Sequence, residues 1–127
     1  MNLASFGLML IGSVMGDGPF WPSRGAKGSV TFVTLNGSAF NHSDIRIRSR
    51  KRDFVVHLVA DKQVAIIQES HAALADLQVL LSPILSKFHL LANSGRFTGG
   101  VFALISKEWA GDDTPQFSSH VCGRVDR

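Results

Sequence analysis

The chain has 127 residues, of which 45% are hydrophobic and 18% charged, and its formal net charge is +3. This length fits one domain that can bury a core without disulfides or structural metal ions, and the composition argues against a disordered chain. Cys122 is the single cysteine, which excludes an internal disulfide and a thiolate metal cluster. The mild positive charge permits a polyanionic partner without requiring one.

The N-terminal region has two parts. Residues 3–15 (LASFGLMLIGSVM) are apolar but too few to span a bilayer as a helix, and they lack the basic start of a secretory signal. A strand, a loop-packed segment and a signal peptide remain as interpretations. Residues 16–28 are rich in Gly and Pro and predict an irregular linker. We therefore expect residues 1–28 to be irregular or poorly ordered and residues 29–127 to form the domain.

A strand, a helix and a second strand are predicted next. Residues 30–35 alternate and are β-branched, which indicates a strand that ends at the turn signal Asn36-Gly37. The segment Asn41-His42-Ser43-Asp44 supplies N-cap candidates for a helix from Ile45 to about Ala60, with Asp44 favourably placed in its first turn. The unbroken apolar run of residues 64–67 predicts a strand that is buried on both faces.

The order strand, helix, strand with short connections is that of a βαβ unit, in which the two strands are parallel. Both strands then end at the same edge of the sheet, so Asn36 and Glu69 should emerge side by side on backbones about 5 Å apart. An amide and a carboxylate presented together suit a hard divalent cation or a phosphate oxygen. The alternative is that Asn36 only forms a turn and that Glu69 is a solvated strand end.

The second half predicts one more helix and a hairpin. Residues 72–87 have helical spacing, and Pro83 should end or kink that helix. Two strands of a hairpin are predicted at residues 88–93 and 100–106. A polar loop is predicted at 108–116, and a weakly signalled strand at 117–125. The fold class is therefore α/β, a mixed sheet with packed helices.

Three elements in this order carry a family resemblance: Asn36 closing the first strand, Gln68-Glu69-Ser70-His71 closing the next, and Gly99-Gly100-Val101 opening a later one. They resemble the N-terminal half of the endonuclease/exonuclease/phosphatase superfamily, especially apurinic endonucleases and the endonuclease domains of LINE-type retrotransposons. The resemblance implies half of that family's α/β sandwich. It also implies that Glu69 holds a Mg²⁺ ion at the scissile phosphate and that Asn36 orients the catalytic groups. For His71 we expect a local hydrogen bond only.

The family's remaining catalytic groups have no counterpart. The sequence has no tyrosine, no Asp-x-Asn element and no Asp-His pair, and Asp112-Asp113 matches none of them. We therefore expect a truncated Mg²⁺-dependent phosphodiester hydrolase that is inactive as an isolated chain. A missing C-terminal half or a partner chain would cover the apolar sheet face that the absent second sheet leaves exposed.

Two alternatives remain. The first is a non-catalytic remnant that binds nucleic acid, DNA in particular, weakly through the basic residues Arg50, Lys51 and Arg52, which otherwise form a solvated helix face or a nuclear localisation signal. The second is a small secreted protein with a signal-like N-terminus. The sequence favours an intracellular location over secretion, and it predicts no membrane segment.

Overall fold

The computed structural model describes residues 9–16, 28–93, 99–113 and 115. Its strands are β1 (Met9–Gly16), β2 (Gly28–Asn36), β3 (Val64–Gln68), β4 (Phe88–Asn93) and β5 (Val101–Ser106). Its helices are α1 (Ile45–Val59), α2 (Leu74–Leu80) and α3 (Lys107–Ala110), and a 3₁₀ turn, Ser82–Ile84, follows α2. The strands form one sheet in the order β1-β2-β3-β5-β4. The predicted class, α/β with a mixed sheet and packed helices, is confirmed.

The predicted βαβ unit is present. β2 and β3 are parallel neighbours, and α1 connects them. Helix α1 begins after Asp44, whose carboxylate accepts a hydrogen bond from the Arg46 backbone N–H at 2.9 Å. That bond lowers the pKa of the Asp44 carboxyl below its ordinary value. Val55 and Val59, one helical turn apart, are fully buried and fix which side of α1 faces the sheet.

The expectation that residues 1–28 are irregular is wrong for residues 9–16, where the alternative interpretation of the apolar segment as a strand is correct. These residues form β1, which pairs antiparallel with β2 from Met9–Leu35 to Gly16–Gly28. Gly12 lies directly opposite Phe32, and a Cβ atom at Gly12 would lie 2.6 Å from the tip of that ring. Glycine therefore gives the aromatic ring the space it occupies across the strand pair. Most of the predicted 16–28 linker, with residues 1–8, lies outside the described residues.

The second half follows the predicted order with one correction. β4 and β5 form the predicted antiparallel hairpin, and β5 also pairs antiparallel with β3. Pro83 lies in the 3₁₀ turn that ends the helix, as predicted. The predicted polar loop instead begins with α3, because the Ser106 hydroxyl caps a helical turn by accepting from the Trp109 backbone N–H. The predicted strand 117–125 and Cys122 lie outside the described residues.

Helices α1 and α2 pack on one face of the sheet. The fully buried side chains there belong to Val33, Leu35, Phe40, Val55, Val59, Ile67, Leu77, Leu81, Phe102 and Leu104. Ring centroids of Phe40 and Phe102 are 5.1 Å apart in a tilted arrangement. Within the described ranges, no helix is both long and apolar enough to cross a bilayer.

The opposite face of the sheet is partly open. Along β3, Ala65 and Ile67 are buried, whereas Ile66 between them is 37% exposed and Gln68 is exposed. The prediction that β3 is buried on both faces is therefore wrong, since the described helices cover only one of them. Part of the open face near β4 is closed by the residues after α3: His89 is buried, and its Nε2 lies 2.7 Å from the Gly111 carbonyl oxygen.

Candidate functional site

The ends of β2 and β3 meet as the sequence predicts. Asn36 and Gln68 are register partners at the carboxyl ends of the two parallel strands, and Glu69 follows directly. The Gly37 backbone N–H donates to the Gln68 carbonyl at 2.7 Å, which continues the strand pairing into the loop. Asn36 and Glu69 therefore emerge at one border of the sheet. We call residues 36–41, 68–71 and 99–100 the site edge.

The segment that carries Glu69 is held from both sides by backbone hydrogen bonds. On the β2 side, Phe40 N–H donates to the Glu69 carbonyl at 3.2 Å, and Asn41 N–H donates to the Ser70 carbonyl at 2.9 Å. On the β5 side, Ser70 N–H donates to Gly100 at 3.3 Å, and the next N–H donates to Gly99 at 2.5 Å. Residues 69–71 therefore extend the sheet without being a regular strand.

Backbone strain is concentrated at this border. In the described part of the chain, positive φ outside glycine occurs at Ser38 (47°), Ala39 (62°), Glu69 (58°) and His71 (50°), all in the site edge. A left-handed conformation costs a non-glycine residue roughly 1–2 kcal/mol. It persists only where the surroundings fix it, and such residues cluster at functional sites. The hydrogen bonds on both sides of residues 69–71 supply that constraint.

The side chains at the border are partly accessible. The Asn36 Oδ1 atom accepts a hydrogen bond from the Ser38 backbone N–H at 3.0 Å, so the turn expected from Asn36-Gly37 is formed. The Glu69 side chain is 46% exposed, and its Oε2 lies 3.4 Å from Nε2 of His71. The local hydrogen bond expected of His71 is thus confirmed. Gly99 packs against this pair, where a Cβ atom would lie 3.4 Å from both side chains.

The donor set tests whether a Mg²⁺ ion fits here. The described residues contain no group of three or more His, Cys, Asp and Glu side chains that could hold a metal. Mg²⁺ keeps several waters and is commonly bound through one or two carboxylates together with substrate phosphates. One accessible carboxylate, that of Glu69, fits an ion held weakly and completed by water and phosphate. The residues do not fit a preformed cage.

Lys51 is the clearest departure from the sequence-based site. We predicted it on a nucleic-acid-binding helix face, but it is 3% exposed, and its Nζ donates to the carbonyls of Gly37 at 2.9 Å and Ser38 at 2.5 Å. Desolvation by burial lowers the pKa of its ammonium group. The assignment of Lys51 as a surface contact is therefore wrong. Its spacing of four from Val55 was the available signal, because that spacing places it on the buried stripe.

The other two basic residues of that prediction lie nearer the surface. Arg50 is exposed, whereas the side chain of Arg52 is 33% exposed and forms an ion pair of 3.0 Å with Asp53. Arg46, one turn before Arg50, has a side chain that is 80% exposed. The basic surface of α1 thus consists of the exposed Arg50, of Arg46 and Arg52, which pair with Asp44 at 3.7 Å and with Asp53, and of the half-buried Arg48.

A cleft that the sequence did not indicate lies at the opposite end of the sheet. It has a volume of about 520 Å³ and lies between the start of β3 and the end of β5, lined partly by Lys62, Lys87 and Lys107. The ammonium of Lys62 pairs with Asp61 at 2.6 Å, and that of Lys107 donates to a backbone carbonyl at 3.1 Å. The cleft is remote from Glu69 and shares no residue with the site edge.

Comparison with known proteins gives no assignment: no protein-family model, no curated protein and no solved structure matches the chain.

Proposed function

We propose that the chain is the N-terminal half of an endonuclease/exonuclease/phosphatase-type domain, a Mg²⁺-dependent phosphodiester hydrolase of the DNA endonuclease kind that is inactive as an isolated chain. One observation carries the proposal. Asn36 and the Gln68-Glu69 pair end adjacent parallel strands at one border, and Gly99 approaches Glu69 from the strand beyond. The sequence elements behind the resemblance thus converge in space.

The chemistry of phosphodiester hydrolysis suits this border. A bound Mg²⁺ ion supplies Lewis-acid polarisation of the phosphoryl oxygen. Glu69 would hold that ion through its accessible carboxylate. Asn36, whose Oδ1 is fixed by the Ser38 N–H, would present its amide beside the phosphate. The backbone hydrogen bonds around residues 69–71 hold in place the backbone that carries this carboxylate.

Inactivity follows from the groups that the sequence lacks. A positioned general base contributes typically 10²–10⁴-fold to a rate, and each transition-state donor about 10²–10³-fold. The chain has no tyrosine, and no Asp-x-Asn or Asp-His element supplies a base or its partner. Glu69 and Asn36 alone would therefore bind a metal-phosphate group without turning it over.

The open face of the sheet supports the half-domain interpretation. Ile66 in the centre of the sheet is 37% exposed, and Leu10 on β1 is 57% exposed. An apolar sheet face of this kind normally packs against a second sheet. We infer that a C-terminal half, or a partner chain in its place, covers this face in the functional protein.

The test is a cleavage assay of the purified chain with Mg²⁺ on abasic and supercoiled DNA, paired with calorimetric Mg²⁺ titration. We expect weak Mg²⁺ binding that is lost in Glu69→Gln, and no turnover by either protein. Turnover lost in Glu69→Gln would keep the family but contradict inactivity. Absence of both turnover and Mg²⁺ binding would contradict a metal site and leave the remnant alternative.

A second candidate function, weak nucleic-acid binding through α1, is favoured only by the exposed Arg46 and Arg50. Basic side chains without interleaved aromatics attract phosphates in a salt-dependent way without reading sequence. The variant Arg46→Gln/Arg50→Gln should abolish any such binding. The third alternative, a signal-like N-terminus, is weakened because residues 9–16 pair with β2 along their whole length.

A further inference from the structure

Lys51 is a charged residue in a place suited to an apolar one. It occupies the buried stripe of α1 together with Val55 and Val59, at 3% exposure. Burying an ammonium group costs several kcal/mol unless the group is paired and hydrogen-bonded. A leucine or methionine would fill this position without that cost, so the charge has to be explained by what it contacts.

The ammonium contacts two consecutive carbonyl oxygens, those of Gly37 at 2.9 Å and Ser38 at 2.5 Å. Both carbonyls face this ammonium in a loop where Ser38 has a φ of 47° and Ala39 a φ of 62°. Without a cation between them, the two oxygens would repel each other, with the Gly37 contact buried and the Ser38 contact half-buried. Lys51 therefore stabilises the left-handed loop.

That loop is the one on which the site edge depends. The Ser38 N–H, next to the clamped carbonyls, holds the Asn36 amide at 3.0 Å. The Gly37 N–H donates to Gln68 at 2.7 Å, and the Phe40 N–H donates to Glu69 at 3.2 Å. The Lys51 ammonium is thus linked to Asn36 through Ser38, and to Glu69 through the backbone of the same loop.

We propose that Lys51 is a positioning residue for the Asn36–Glu69 site: its ammonium holds the loop of residues 37–41 in the left-handed conformation that orients the Asn36 amide and braces the Glu69 backbone. The role in ligand binding rests on the proposed function, whereas the clamp on the loop does not. Lys51 would act through the loop and not on a bound metal or phosphate, because its ammonium is bound to the loop carbonyls.

The test compares Lys51→Met with Val55→Ala, a control in the same buried stripe of α1 that lowers stability by removing apolar volume and leaves the two hydrogen bonds from Lys51 to the loop in place. Amide hydrogen exchange at Phe40 and Asn41, corrected for global stability by urea unfolding, reports the clamp. We expect protection of both amides to fall at least about tenfold in Lys51→Met, the factor that corresponds to about 1.4 kcal/mol, and not in Val55→Ala. Equal loss in the two variants would overturn the proposal.

Mn²⁺ titration of the same proteins reports the site. We expect the dissociation constant for Mn²⁺ to rise severalfold in Lys51→Met and to stay unchanged in Val55→Ala; an unchanged value in both would overturn positioning of the site. Failure of the unaltered chain to bind Mn²⁺ would contradict the proposed function and leave the exchange measurement to decide the clamp. If Lys51→Met does not fold, the clamp is tested in the unaltered chain by NMR couplings across the hydrogen bonds from Lys51 Nζ to the Gly37 and Ser38 carbonyl carbons. Absence of these couplings would overturn the clamp.

Discussion

Gly37→Ala should be among the most destabilising single-methyl changes in the domain. A Cβ atom at Gly37 would lie 2.9 Å from the Gln68 carbonyl oxygen, 3.0 Å from Cγ2 of Ile67 and 3.1 Å from Cβ of Phe40. None of these atoms is the free end of a flexible side chain, so the loop itself has to move. Overpacking costs typically about 1–3 kcal/mol, and displacement of the loop also weakens the 2.7 Å Gly37–Gln68 hydrogen bond, for about 1 kcal/mol more. We expect a loss of about 2–4 kcal/mol.

Urea unfolding measures this loss as a shift of the midpoint at constant slope. The control is Ser38→Ala at the next position, where the side chain is exposed and the backbone angle penalty is unchanged, so we expect a change within about 0.5 kcal/mol. A Gly37→Ala midpoint equal to that of the control would refute the close approach of the loop to β3, and with it the placement of Asn36 beside Gln68.

Three further outcomes follow from single contacts. The carboxyl pKa of Asp44 lies below the ordinary 3.8. The ionised Asp44 should therefore stabilise the fold above pH 3.8, and this stabilisation should be lost as the pH falls through the folded-state pKa. Asp44→Asn keeps a capping side chain, and its thermal unfolding should lack this pH dependence. Gly99→Ala should cost about 1–2 kcal/mol because φ is 77°, and its amide shift changes should centre on Glu69 and His71, whereas shifts elsewhere would contradict this packing. Burial lowers the pKa of Lys51 below 10.5. Between that lowered pKa and pH 10.5, the free energy of unfolding of the unaltered chain, measured in urea, should rise with pH relative to that of Lys51→Met. A fall with pH would contradict desolvation as the dominant effect.

The elements that the sequence predicted correctly are those with local signals. β2 alternates, α1 has a side-chain cap at Asp44, and the run before Gln68 is continuously apolar. These patterns act within a few residues, and the short connections between them fix the parallel pairing. The border where Asn36 and Glu69 meet follows from that pairing, which is why it was predictable.

The missed features depend on partners distant in sequence. β1 is stabilised by β2, and its decisive detail, Gly12 opposite Phe32, joins residues that no local pattern connects. The open face of β3 depends on which elements pack against the sheet, and an apolar run alone does not reveal that. The positive φ of Glu69 has no sequence signal, because glycine is the usual marker of that conformation.

Lys51 was missed for a related reason. Lys51 lies in a run of basic residues, and this run predicts a basic surface. The spacing of Lys51, Val55 and Val59 instead places Lys51 on the buried side of α1. A charged residue on a buried stripe is uncommon. The spacing of such a residue predicts a hydrogen-bond partner for backbone groups and not a part of the basic surface.

We propose that Glu69, at the shared end of β2 and β3, is the metal-binding group of this chain. Mn²⁺-induced line broadening in amide spectra of the unaltered chain and of Glu69→Gln tests this most directly. We predict broadening centred on residues 69–71 and 99–100 that disappears in Glu69→Gln. Broadening that persists in Glu69→Gln, or that centres on Asp112 and Asp113, would contradict it.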